Sequence, residues 1–189
     1  MTNSWVSALF FATMGALTYW VWLLIDENLG QIRPARLHEL DYYMEHMKRN
    51  TLDETGTLKN VLFADLATHY PDDDTTELER PRMEIYNGNP DPWYVIGETG
   101  WVSSGSEVIV LHGEVEIWRL NSQGLRDFEV FTSELRVLPK EQYAETAEPA
   151  TIMSKTTVTN TIGMRANFAH DRLEFLEEVK SRHEINPSS

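Results

Sequence analysis

The chain has no cysteine. That single absence removes disulfides, thiol nucleophiles and thiolate metal sites together. It is compatible with either face of a membrane. Basic residues are scarce: 16 Lys and Arg stand against 30 Asp and Glu, a formal net charge of −14. Such a chain has no long-range attraction for polyanions, which argues against nucleic acid as a partner. Charge of either sign is missing altogether from Trp5 to Ile25.

Motifs that carry chemistry are missing as well. There is no GxSxG nucleophile elbow and no GxxxxGK[ST] phosphate loop. The six histidines, at 38, 46, 69, 112, 170 and 183, include no pair at HxxxH spacing, so no metal site is expected. Asp72-Asp73-Asp74 has the look of a calcium loop. Its sixth and twelfth positions, however, are Glu77 and Met83 where an EF-hand needs Gly and Glu. A solvated turn is the simpler reading. No catalytic residue and no cofactor is expected.

What is present begins with the uncharged N-terminus. At about 1.5 Å per helical residue, 5–25 reaches roughly 31 Å, against about 30 Å for a bilayer core. Met1–Ser4 holds no Lys or Arg, and Trp20, Trp22, Leu23 and Leu24 stand where a signal peptidase needs small residues. A retained transmembrane helix fits better than a cleaved signal. Trp5 at one end and Tyr19, Trp20 and Trp22 at the other suit the headgroup level. Arg33 and Arg36 follow the span, but Asp26 and Glu27 intervene, and two basic residues leave the positive-inside rule indecisive. Ala8, Ala12 and Ala16 recur every four residues. That spacing lets helix backbones approach closely in lipid, and it also arises simply because alanine is common in such helices.

The remainder, long enough for one domain, changes character near residue 40. Segments rich in Val, Ile, Thr, Tyr, Phe and Trp alternate with turn clusters such as Glu54-Thr55-Gly56, Asn87–Pro92, Ser103–Ser106, Asn121–Gly124 and Pro139-Lys140-Glu141. In 111–118, Leu111, Gly113, Val115 and Ile117 share one side and His112, Glu114, Glu116 and Trp118 the other. Leu58, Leu62, Ala64 and Leu66 share parity in 58–66, as do Leu135 and Val137. Period-two segments with one apolar side predict half-buried antiparallel strands in an all-β sandwich or barrel. Two stretches keep a helical alternative. Leu37, Leu40, Met44 and Met47 are spaced three, four and three apart, and Leu173, Leu176 and Val179 are spaced similarly.

From Asp41 onward the order of features resembles the LptC family, the single-span inner-membrane component of bacterial lipopolysaccharide export. The likeness runs through Asp41-Tyr42-Tyr43, Gly56-Thr57-Leu58, Ala64–Tyr70, Glu79-Arg80-Pro81, Trp93–Glu98, Thr132–Leu135, Tyr143–Thr146 and Gly163-Met164. Val110-Leu111-His112-Gly113-Glu114-Val115-Glu116-Ile117 is the most telling piece. The resemblance implies an open antiparallel β-jellyroll of two sheets behind one transmembrane helix, with both doubtful stretches as strands. It implies a transmembrane anchor at 1–25, a juxtamembrane linker at 26–39, a periplasmic jellyroll at 40–186 and a tail at 187–189. The implied partners are lipopolysaccharide, the subunits of an inner-membrane ABC transporter and a periplasmic bridge protein of the same jellyroll type. The anchor helix would pack on the transporter through Ala8, Ala12 and Ala16.

Met47, Leu58, Leu62, Leu66, Leu78, Val95, Leu111, Val115, Ile117, Leu135 and Leu173 are the expected lining of a groove for acyl chains. Ordinary core packing is the commoner fate of any one of them. The edge near 40–50 would face the transporter and the edge near 172–185 the bridge protein, by strand addition. The acidic surface is compatible with an anionic lipid if only acyl chains enter, since their burial is insensitive to charge sign. The alternative is a membrane-anchored scaffold whose sandwich is closed and dry.

Overall fold

A computed structural model describes residues 4–29, 38–88 and 91–183. The residues around Arg33, Pro34 and Arg36, Leu37 of the helical pattern, and the tail at 187–189 lie outside that description. The chain divides into two units, 1–37 and 38–189.

In the first unit, α1 (Ser4–Leu29) continues past Ile25 into the first residues expected to be linker. Its Thr13 and Thr18 hydroxyls donate to the carbonyls of Phe10 (2.9 Å) and Met14 (2.8 Å), so neither is left without a partner. Among the described residues no helix is long and apolar enough to cross a membrane. The expected span therefore rests on the amino-acid sequence.

The second unit is all-β and antiparallel. Its strands are β1 (Tyr42–Leu52), β2 (Leu58–Tyr70), β3 (Thr75–Glu79), β4 (Arg82–Ile85), β5 (Trp93–Ile96), β6 (Thr99–Val102), β7 (Ile109–Leu120), β8 (Arg126–Leu138), β9 (Tyr143–Ser154), β10 (Thr157–Asn167) and β11 (Arg172–His183). They join in chain order as a meander. Both 37–47 and 172–180 are strand wherever described beyond residue 41, as the family resemblance implied. Short turns do the joining. Asp53 Oδ1 accepts the backbone N–H groups of Thr55 and Thr57 (both 2.9 Å), and Asn121 Oδ1 those of Gln123 (2.9 Å) and Leu125 (3.1 Å).

A line of irregularities crosses this meander at one level. β3 and β4 are one strand broken at Arg80-Pro81, and β5 and β6 one strand broken at Gly97-Glu98; β2 and β7 span both halves of each. Left-handed backbone recurs along the line at His46, Arg80, Gly113, Glu134, Gly163 and Glu178. Register slips between Leu111 and Glu114, Phe131 and Arg136, and Ile162 and Met164. Bulges bend strands and raise their twist. Aligned, they crease the whole sheet, and its halves close face to face as a jellyroll.

Contacts between strands far apart in the sheet prove the closure. Trp93 on β5 donates from Nε1 to Asp171 in the β10–β11 turn (2.9 Å), although β7, β8 and β9 separate them. Asn87 Nδ2 donates to the Phe168 carbonyl (2.9 Å), Arg119 pairs with Asp171 (3.1 Å), and Gln142 donates to the Tyr86 carbonyl. These bonds lace the rim opposite the crease. Between rim and crease lies one core: Leu62, Met83, Ile85, Val95, Ile109, Leu111, Leu135, Val137 and Met164 are fully buried, with Trp93 and Phe168 closing one end.

The crease is tight at Gly113. Its φ is +79°, and a Cβ there would lie 2.2 Å from Glu98 Oε2 and 3.0 Å from Glu98 Cβ. Beside it, His112 Nδ1 donates to Glu134 Oε2 (2.6 Å) across the bulge, and this bond holds the Glu134 carboxyl below the usual carboxylate range. Gly113→Ala should therefore cost about 1–3 kcal/mol through backbone strain and displacement of Glu98. Urea unfolding of the full chain in detergent will read this as a lower midpoint; an unchanged midpoint would show that the crease tolerates a side chain.

Candidate lipid-binding interior and strand edges

The crease decides which side chains point inward. Leu62 and Ala64 face the core before it on β2, and Ala67, three residues after Ala64, faces the core beyond it. Leu66, expected in phase with Leu62, is thereby turned out of the core cluster and only half-buried. The same phase slip on β8 lets Val130 and Leu135 share the interior. On β1 the left-handed backbone at His46 turns both Met44 and Met47 toward the mouth beside β2. A strand with one left-handed residue thus reproduces the three-residue spacing of a helix.

Of the expected lining, Leu62, Leu78, Val95, Leu111, Val115, Ile117 and Leu135 are buried together in the core. Met47 and Leu173 are half-buried against it at opposite ends, and Leu58 is half-buried outside the cluster. Core residues not anticipated include Met83, Ile109, Val130, Met164 and Phe168, as well as Phe175, which packs beside Leu173. The Met83-Glu84-Ile85 alternation carried the signal, but in a strand of four residues.

The interior is well filled between its ends. A void of about 10 Å³ lies among Trp93, Ile117, Phe128, Phe168 and Leu173. At the β1 end the sandwich opens into a groove of about 270 Å³. Met44, Met47, Leu62, Leu78 and Val102 give it apolar walls. His69, 3.7 Å from Asp74 and stacked on Tyr42, and Arg49, bonded to Ser106, give it polar points. A larger depression of about 640 Å³ lies outside, beside the crease. Asp65, Arg80, Arg82, Glu98, Glu114 and Glu116 line it, and so many charges make it a poor bed for acyl chains.

Each end of the meander is a strand with one neighbour: β1 pairs with β2 and β11 with β10. Exposed apolar side chains accompany both, with Tyr43 and Leu52 on β1 and Leu176 and Val179 on β11. Unpaired backbone donors and acceptors of this kind accept an added strand.

His38, Asp72 and Asp73 bring ligand-type atoms within 4.8 Å of one another, all on exposed residues. Asp72 already accepts the His38 backbone N–H (3.1 Å), and Asp73 the Thr75 hydroxyl (2.6 Å). Turn capping accounts for both carboxylates. In α1, Ala12 and Ala16 are exposed, while the side chain of Ala8 lies outside the described residues.

The second unit is thus a creased antiparallel β-jellyroll with an apolar interior and, among the described residues, a strand with one neighbour at each end. The family model for "Lipopolysaccharide-assembly, LptC-related" proteins matches residues 8–184, and the chain belongs to that LptC family. A search of curated proteins returns no match. Among solved structures, the chain is similar in fold to LptH of Pseudomonas aeruginosa, titled the LptA-homologous periplasmic component of the conserved lipopolysaccharide transport device. The TM-score is 0.51 at 8% identity, over 68% of this chain and 95% of that one.

The two classes of lining position should differ in stability. Leu135→Ala, which empties a fully buried site, should cost about 2–5 kcal/mol. Met47→Ala, at the open groove, should cost below about 1.5 kcal/mol. Comparable losses in urea titrations would mean that the β1 mouth is as rigidly packed as the centre.

Proposed function

We propose that this protein is a non-enzymatic carrier in lipopolysaccharide export. It receives the lipid from an inner-membrane ABC transporter and passes it to a periplasmic bridge protein of the same jellyroll type. The observation that carries this reading is the apolar groove at the β1 end, continuous with the core through Leu62 and Leu78 and flanked by an unpaired strand. Family membership supports it.

In this reading the uncharged stretch 5–25 of the N-terminal helix is a single-pass anchor in the inner membrane, and the jellyroll stands in the periplasm. Thr13 and Thr18 support the anchor, because hydroxyls bonded back to their own helix are tolerated in lipid. Acyl chains enter at Met44 and Met47 and move along the interior as the sandwich breathes. Each methylene taken from water contributes about 0.8 kcal/mol. The β1 edge meets the transporter and the β11 edge the bridge protein, so lipid travels between edges. ATP is spent in the transporter, and no catalytic group is needed here.

A second reading, a closed scaffold for protein assembly, is favoured by one observation: the centre of the sandwich is filled. The two differ in what the interior touches in cells. A photoreactive residue at Met47 or Leu78 should crosslink to lipopolysaccharide, while one at Glu45, exposed on the other face of β1, should not. Equal labelling at all three would remove the groove and favour the scaffold. For the anchor, Ala12→Phe should weaken co-purification with the transporter in mild detergent; undiminished recovery would reduce the helix to a tether.

A further inference from the structure

The inner face of β1 carries one charge. Tyr42, Met44 and Met47 line the groove with Arg49, which stands opposite Leu62 on β2. Arg49 is half-buried and donates from one guanidinium nitrogen to Ser106 Oγ (2.5 Å). Among the described residues no carboxylate lies within ion-pair distance of it, in a chain that carries 30 of them. Partial burial pulls its pKa below the ordinary arginine value, the mark of a cation deprived of water and not compensated.

One rung along the same inner face, Asn60 is buried at 1% exposure, and its Nδ2 has no partner. Two donors one rung apart on this face are thus incompletely met: a guanidinium bonded to Ser106 with no carboxylate partner, and a carboxamide whose Nδ2 has no partner. Leaving such groups unmet costs stability, and a fold that merely needed packing would place apolar side chains here. Apolar walls at Met44, Met47, Leu62 and Leu78 beside a cation without a carboxylate partner, in a groove whose own carboxylate, Asp74, faces His69, suit an amphiphile with an anionic head.

We infer that Arg49 is an anion subsite at the β1 mouth that takes a phosphate group of an acylated glycolipid while its chains lie on Met47, Leu62 and Leu78. The inference rests on the carrier reading above and adds its recognition element. Arg suits the task because its planar fork meets two phosphate oxygens at once. The subsite also answers the acidic exterior. The surface repels anionic headgroups, and the one inward-facing cation of the groove marks where a headgroup is accepted.

The test uses the full chain in detergent micelles with two probes: bis-phosphorylated lipid A, and the same lipid with both phosphates removed enzymatically. Arg49→Met should lower affinity for the phosphorylated lipid about tenfold and leave the dephosphorylated lipid within about twofold, with Arg49→Lys in between. The melting temperature of Arg49→Met should equal or exceed that of the unsubstituted protein, because an uncompensated cation has been removed. Equal loss for both lipids, or no loss for either, overturns the inference, and so does a lowered melting temperature, which would assign Arg49 to the fold. Saturable binding of inorganic phosphate alone, abolished by Arg49→Met and as tight as the lipid's, would assign the site to free phosphate and overturn the lipid assignment. If the unsubstituted protein binds neither lipid, the carrier reading itself fails; equal binding of both lipids overturns the phosphate subsite alone.

Discussion

One geometric constraint governs the jellyroll: left-handed backbone or a register slip recurs at one height across most of its strands. His46, Arg80, Gly113, Glu134, Gly163 and Glu178 all have left-handed backbone. Only two of the six are glycine, so the other four hold a conformation that L-residues disfavour. That strain persists because the surroundings over-determine it. Arg80 is tied to Asp65, Glu134 to His112 and to the Gly113 N–H (3.4 Å), and the bulge near Gly163 is pinned by Thr161, whose hydroxyl donates to the Glu177 carbonyl (2.9 Å). Straighten the line and the two half-sheets lose each other, and the core with them.

Opposite the crease, the rim is held differently. Trp93, Asn87 and Arg119 converge on the Phe168–Asp171 turn through hydrogen bonds and one partly exposed ion pair. Such contacts are each worth about 0.5–1.5 kcal/mol net, far less than a buried leucine cluster. A backbone crease on one side and, on the other, polar bonds around the Trp93–Phe168 contact hold the two half-sheets together. On the carrier reading, passage of acyl chains requires this rim to loosen while the crease stays.

Much of this was legible in the sequence, and the failures have a common cause. Alternation in 111–118 survived intact, because the two-for-one bulge at His112-Gly113 kept Leu111, Val115 and Ile117 in phase. On β2, which has no bulge at this level, the inward phase shifts by one across the crease, so a period-two reading carried through 58–66 puts Leu66 inward and passes over Ala67. On β1 the left-handed residue His46 places Met44 and Met47 on one face three residues apart, which is also a helical spacing. Left-handed backbone leaves no compositional mark when His, Arg or Glu adopts it. Turn chemistry does leave one, and Asp53 and Asn121 cap their turns as their neighbourhoods suggested. Arg49 escaped notice because a lone charge in an edge strand ordinarily faces water.

The edges follow from the crease. β1 carries Lys48 and Glu45 on its outer side, and β11 carries Glu174, Glu177, Lys180 and Arg182, charges that discourage indiscriminate strand pairing. Each edge also holds its own crease residue, His46 or Glu178. A straight strand laid against β1 can pair above the bend or below it, but not across it. A strand from a similarly creased jellyroll can pair through it, and the two interiors then meet end to end with their crease lines in register. On the carrier reading, edge geometry of this kind would favour a partner with the same crease.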